Sequence, residues 1–305
     1  MSHRDTRPLG HSIRWFACGL FLLALAHNPT VTAHPPLRIT SDGYFKQRPD
    51  WNPDGSQCVY AEHRGDRIFL QLLNRRTKKI IRLTKHESPE YDAVFSRDGR
   101  RLLFAYDRTS PNQGDLEVYL FNREDESVKP VAVTSGGLSH EESPDWSPDG
   151  KQLVFSSTRH GNQEIYRGGL GGGDWTRLTS DPALDTHPRW SPDGKWIVFA
   201  TNRWGDFELA RIQPEGTDLT RLTYSSGLDD YADWSPDGKW IAFASNRTRN
   251  FEIMIMRPDG SGLRTIAPHR GIDNFPAWVS ADTLSWISNR NGGFDIYLQQ
   301  LTDLE

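Results

Sequence analysis

Short apolar runs alternate with polar turns along most of the chain, and the clearest copy reads P-R-W-S-P-D-G-K-W-I-V-F over Pro188–Phe199. One run ends in an aromatic residue, a Ser-Pro-Asp-Gly turn follows, and an almost wholly apolar segment comes next. Ser at the first turn position, Pro presetting φ at the second and Gly at the fourth fit a type I β-turn. Lys195–Ala200 lacks the in-out alternation of a half-exposed strand, which predicts a strand covered on both faces. A third run of the Glu164-Ile165-Tyr166 kind and a fourth ending in Arg177-Leu178-Thr179 complete a four-strand unit.

Trp190 has counterparts at Trp51, Phe95, Trp146, Trp234 and Trp278, at a spacing of about 44 residues that stretches once to about 51. A fixed period of this length marks a repeat architecture, and one such unit makes one propeller blade. The pattern predicts an all-β fold, a six-bladed β-propeller of four-stranded antiparallel blades. Unit 2 carries its extra residues in the loop Arg108–Glu117 and has Arg97 in place of the turn Pro. Unit 6 has lost both Pro and Gly in Val279-Ser280-Ala281-Asp282. Too few residues follow Ile296-Tyr297 for another turn and strand, whereas Leu37-Arg38-Ile39-Thr40 matches the Arg-Leu-Thr strand and precedes unit 1. The N-terminal strand is therefore expected to complete blade 6, a closure that removes open sheet edges.

Composition narrows the setting. Arg4, Arg7 and Arg14 precede the apolar run Trp15–Ala26, and small-x-small triplets follow at Ala24-Leu25-Ala26 and Val31-Thr32-Ala33. This describes an export signal over residues 1–33, ahead of a propeller over 34–305. The run falls short of the roughly 20 apolar residues a bilayer span needs. The expected product is periplasmic or secreted, without stable membrane insertion. The formal net charge is −4, and removing the basic segment leaves the body more acidic still, so nucleic acid finds no general attraction. Cys58 aligns with Leu153 and Ile197, a core position, and no disulfide with Cys18 is expected.

With Trp-Ser-Pro-Asp-Gly-Lys, Ser/Thr-x-Arg-x-Gly, Glu-Ile-Tyr and Arg-Leu-Thr in place, residues 37–302 resemble the TolB-type propeller (PD40, WD40-like) repeat. That resemblance implies a six-bladed propeller of the bacterial periplasm. It also implies docking of a cell-envelope protein, such as a peptidoglycan-associated lipoprotein, over the central channel. The α/β domain that precedes the propeller in that family has no counterpart ahead of residue 37, so contacts resting on it are not expected. A monomer is expected.

Loops entering the innermost strands share a face with those following the second strands, and their residues line up before each aromatic. Five positions before it stand Glu90, Glu141, Asp185, Asp229 and Asp273, a repetition that suits a structural hydrogen bond or ion pair. The next two positions vary, which suits recognition. The candidate partner-binding rim is Tyr91, Asp92, Glu142, His187, Asp230, Tyr231, Asn274 and Phe275, acidic groups for a basic segment and aromatics for anchors. Unit 1 brings Lys46-Gln47-Arg48, a basic sector of that ring. The recurring arginines Arg64, Arg108, Arg159, Arg203, Arg247 and Arg290 are expected to pair with the acidic column. Glu117, Glu164, Glu208, Glu252 and Asp295 receive the same structural reading.

No catalytic residue is assigned and no cofactor is expected, although a divalent cation at the channel mouth is compatible with the carboxylates. His86, His140, His187 and His269 fall on the candidate face. They keep open a carbohydrate-active lyase or hydrolase with a divalent metal, beside a third option, a glycan-binding module. No G-x-S-x-G nucleophile motif is present. Gly168–Gly173 reads as a flexible loop between third and fourth strands. The favoured reading is a non-enzymatic binding scaffold.

Overall fold

The computed structural model describes residues 35–302 and 304, apart from 86, 108–115, 131–138 and 172–174. The expected signal segment, His86, Arg108 and most of the loop Arg108–Glu117 lie outside the described residues. Six four-stranded antiparallel sheets follow one another along the chain. Their innermost strands are Phe45–Trp51, Glu90–Phe95, Glu141–Trp146, Asp185–Trp190, Asp229–Trp234 and Asp273–Ser280. Each blade starts at the mouth we call upper and turns at the lower mouth after its aromatic.

Blade 4 shows why its second strand, Ile197–Trp204, lost alternation. Ile197 and Phe199 pack toward blade 3 with Val154, Ile165 and Trp190. Val198 and Ala200 pack toward blade 5 with Trp234, Ile241 and Phe243. Both faces are core, and complete burial of Phe199 is worth about 1.5–3 kcal/mol. The preceding turn is held by its own side chains. Ser191 Oγ donates to Asp193 at 2.7 Å and accepts from Trp196 N at 2.9 Å, while Asp193 accepts from Lys195 N at 3.1 Å. Gly194 sits at φ 74°, where a β-carbon would be strained. Unit 6 replaces this turn by a tighter hairpin, with Ser280 opposite Thr283.

Closure uses the chemistry seen in blades 3 and 4. In blades 3 and 4 the Arg and Thr of the outer strand grip the acid of the third strand. Glu164 accepts from Arg177 at 2.7 Å and from Thr179 Oγ1 at 2.6 Å; Glu208 accepts from Arg221 at 2.9 Å and from Thr223 Oγ1 at 2.5 Å. In blade 6 the acid is Asp295, and Arg38 and Thr40 arrive from the other end of the chain, Thr40 Oγ1 donating at 2.8 Å. Leu37 lies opposite Leu298 and Arg38 opposite Tyr297. Cys58 is fully buried between blades 6 and 1, where burial pushes its thiol well above the usual range.

One expectation changes. Gly168 and Gly169 end the third strand Glu164–Gly169 and are not loop. A β-carbon on Gly168 would lie 2.4 Å from the Trp175 ring, so glycine there admits the indole against Phe155. Gly172 and Gly173 lie outside the described residues.

Candidate functional site

All six innermost strands carry a β-bulge between the fourth and first positions before the aromatic. Pro49, Pro144, Pro188 and Pro276 fall inside it, where a missing N–H interrupts the ladder at no cost. The residue three before the aromatic is left-handed in every blade: Arg48 (φ 46°), Asp92 (53°), Ser143 (55°), His187 (53°), Tyr231 (56°) and Phe275 (52°). None is glycine, and each such conformation costs on the order of 1–3 kcal/mol. Asp230 and Asn274 support it locally, accepting from Tyr231 N at 2.6 Å and Phe275 N at 2.8 Å. The bulge aims these side chains into the channel rather than along the sheet.

The column five before the aromatic is buried and paired. Asp185, Asp229 and Asp273 each lie 2.7 Å from Arg203, Arg247 and Arg290, and Glu141 lies 3.4 Å from Arg159. The carboxylates Glu90, Glu141, Asp185, Asp229 and Asp273 have no exposed surface, so they do not form an acidic ring on the mouth. Of the basic sector of unit 1, Arg48 lines the well at the upper mouth and Lys46 does not reach it. Lys46 has no exposed surface; its Nζ donates to Tyr44 O at 3.0 Å and Phe294 O at 3.2 Å, bonds Asp42, and lies 3.5 Å from Asp295. Its strand partner is Glu62, where the neighbouring column has Ser157, Thr201, Ser245 or Ser288, so the charge is exchanged and neutralised within the closure. Arg64 in turn pairs with Glu62 at 2.6 Å.

Above the bulges lies a cavity of about 370 Å³. One wall is aromatic: the His187 and Tyr231 rings stand 4.4 Å apart, and Tyr231 and Phe275 4.5 Å apart. The other wall is polar, with Tyr91, Asp92, His140 and Glu142. Arg48 spans the floor. Its Nε lies 3.4 Å from Asp92, its Nη1 donates to Ser143 Oγ at 3.0 Å, and its guanidinium stacks 5.7 Å from the Tyr231 ring. Burial, reinforced by Asp92, holds the Glu142 carboxyl above its ordinary value despite His187, His140 and Arg48 nearby.

The rim residues separate into three groups. Tyr91, Asp92, Glu142, His187, Tyr231 and Phe275 converge on the cavity. Asp230 stands behind the wall, accepting from His187 Nδ1 at 2.7 Å, with the ring proton placed on that nitrogen. Asn274 only supports Phe275 and does not line the cavity. His140 joins His187 at the cavity, whereas His269 accepts from Gly271 N at 2.8 Å on an exposed loop.

A second cluster was not anticipated. Immediately before the aromatics stand Asp50, Asp145, Arg189 and Asp233, lining a lower chamber of about 180 Å³ with the Trp ring. Each carboxylate accepts a backbone N–H from the next blade: Asp50 from Phe95 at 2.8 Å, Asp145 from Trp190 at 2.7 Å, Asp233 from Trp278 at 2.8 Å. Arg189 lies 3.4 Å from Asp145. Burial pushes Asp50 up to about 7, and raises Asp145 and Asp233, against the pull of Arg189. Burial works against the Arg189 charge, yet Asp145, Asp233 and Asp50 hold it above the ordinary arginine value. The signal was present in the sequence, since this column reads Asp, Val, Asp, Arg, Asp, Ala, but lies beside the more conspicuous tryptophans.

Fold and site define a closed six-bladed β-propeller with a polar and aromatic well at one mouth of its channel. The chain belongs to the TolB β-propeller family, whose profile, described as a TolB beta propeller domain, matches residues 109–269. Over 147 residues it is 26% identical to the Tol-Pal system protein TolB of Francisella tularensis, covering 48% of this chain and 32% of that protein. The match thus spans about a third of the length of that curated relative. The crystal structure of TolB from Acinetobacter baumannii aligns with a TM-score of 0.69 at 26% identity, over 79% of this chain and 59% of that one. An oligogalacturonate lyase in complex with manganese aligns with a TM-score of 0.60 at 14% identity, over 90% and 98% of the two chains. That likeness speaks for the fold alone.

Proposed function

We propose that this chain is a non-enzymatic scaffold of the periplasm or the secreted fraction, which binds a protein of the cell envelope through the upper well. The observation that carries the reading is the well itself. Side chains that differ in every blade converge there on a cavity of about 370 Å³, held by strands whose other contacts repeat. Aromatic anchors beside desolvated charges are the make-up of an interface hot spot. Family membership supports a Tol-type partner, and a peptidoglycan-associated lipoprotein is the first to test. Export would follow from the signal segment; among the described residues no helix is long and apolar enough to cross a membrane. The test is capture from an envelope extract by the wild type and by the triple variant Glu142→Ala/Asp230→Ala/Tyr231→Ala. Loss of about 10²-fold in affinity for one captured protein is expected. A triple variant that retains every partner would show the rim assignment to be wrong.

One observation favours a second reading, a carbohydrate-active lyase or hydrolase. His187 Nδ1 is held by Asp230 at 2.7 Å, which frees Nε2 for proton transfer beside Glu142. Among the described residues no group of three His, Cys, Asp or Glu side chains stands close enough to hold a metal. Turnover of uronate oligosaccharides, with and without added manganese, would establish this reading. Retention on peptidoglycan without turnover would point to a glycan-binding module.

A further inference from the structure

Among the described residues, the upper well holds a carboxylate, Glu142, with no cationic side chain bonded to it. Arg48 is committed to Asp92 and Ser143, and Asp230 to His187 and Tyr231 N. The buried column is matched by Arg159, Arg203, Arg247 and Arg290. Among the described residues, the Glu142 carboxylate takes a hydrogen bond from the neutral Gln163 amide alone. Blade geometry does not ask for an acid at this position, because four of the other blades have Gln47, Tyr91, Thr186 and Asn274 there. An ionised carboxylate kept partly out of water without a partner opposes folding, and such groups concentrate where a ligand completes them.

The surroundings select the ligand's sign. Asp92 and Glu142 repel an anion, and Arg48 is already neutralised by Asp92. A neutral sugar would leave the Glu142 charge unmatched. A long cationic side chain suits both walls at once: its charged head pairs with Glu142 and its apolar stem packs against the Tyr231 and Phe275 rings that line the same cavity. The cavity takes one long side chain rather than a bare ion. We propose that the well receives a lysine or arginine side chain of the partner protein, its charged head at Glu142 and its aliphatic stem along Tyr231 and Phe275. The proposal rests on the reading of this chain as a protein-binding scaffold.

The test titrates the full chain with the blocked residues N-acetyl-lysine methylamide, N-acetyl-arginine methylamide and N-acetyl-norleucine methylamide, followed by calorimetry or NMR. One of the two cationic probes is expected to saturate at least ten-fold more tightly than norleucine at pH 8. That preference is expected to vanish in Glu142→Gln. In the wild type it should weaken as pH falls through the raised carboxyl value, with His140, His187, Asp92 and Arg48 sharing the cavity with that carboxyl. Glu142→Gln, measured at the same pH values, separates the carboxyl from the histidines, and Glu142→Asp serves if the glutamine variant does not fold. Equal binding of norleucine, or unchanged binding in the variants, overturns the proposal. Lost probe preference with retained partner capture sinks the cation site and leaves the scaffold reading standing. Probe binding that Glu142→Gln abolishes, with no protein captured, sinks the scaffold reading instead.

Discussion

The lower chamber and the upper well are built from neighbouring positions of the same six strands, and they treat charge differently. Below, Asp50, Asp145 and Asp233 each bond a backbone N–H of the next blade, with Arg189 among them. Their charges are part of the joint between blades. Above, among the described residues, Glu142 bonds no neighbouring blade's backbone and takes a side-chain hydrogen bond from the Gln163 amide alone. Below, the charges are satisfied within the ring itself, whereas among the described residues the Glu142 carboxylate above has no cation bonded to it.

The largest expected effect comes from removing the frame both regions share. Deleting residues 37–40 strips Asp295 of Arg38 and Thr40 and opens the blade 6 edge. We expect a loss of about 5 kcal/mol or more, a large part of the usual stability of a domain. Unchanged thermal unfolding would refute closure by this strand.

Arg189→Met comes next, because it leaves the lower carboxylates without their cation. The expected cost at pH 8 is about 3–5 kcal/mol by chemical denaturation. The sign of the pH dependence follows from Asp50, whose folded value of about 7 exceeds its ordinary 3.8. The folded state keeps a proton that the unfolded chain releases. This contribution is therefore fully present below the ordinary value and is lost as pH rises through about 7. Without Arg189 the carboxylates hold their protons more tightly still, so the variant should recover much of its deficit at pH 5. A deficit equal at both pH values would mean that the lower charges do not act as a coupled set.

Glu142→Gln should have the smallest effect on folding, within about 1 kcal/mol and tending toward stabilisation at pH 8. Its carboxyl is also raised, so ionisation opposes folding above that value and the glutamine removes the opposition. Denaturation midpoints at pH 8 and pH 4 decide the matter. A loss of about 2 kcal/mol or more would put Glu142 with the structural carboxylates and erase the contrast between the two regions.

Much of this was legible in the chain because each blade restates the same instructions. Trp190 and its counterparts, the Ser191–Gly194 turn and the Arg-Leu-Thr strand each recur, so chance resemblance in one copy is overruled by the others. The recurrence of Arg203 with Asp185 likewise marked a structural pair, which the 2.7 Å contact displays. Reading failed where one blade compensated in space for its departure from the repeat. Lys46 looked like a basic rim residue, but Glu62, Asp42 and Asp295 surround it. Gly168 looked like loop, but Trp175 needs its missing side chain.

The sequence by itself determined the number of blades, their turns and the strand that closes the ring, because periodic burial and turn chemistry are local properties written several times over. Only the tertiary structure decided which polar residues reach the channel. Columns that are adjacent in sequence diverge at each bulge, one into ion pairs between strands, one into the upper well and one into the lower chamber. Whether a carboxylate there finds a cation depends on a neighbouring blade about 44 residues away. That separation is why Asp145, which lies beside Arg189, and Glu142, which bonds no cation among the described residues, look alike in one strand until the ring is closed.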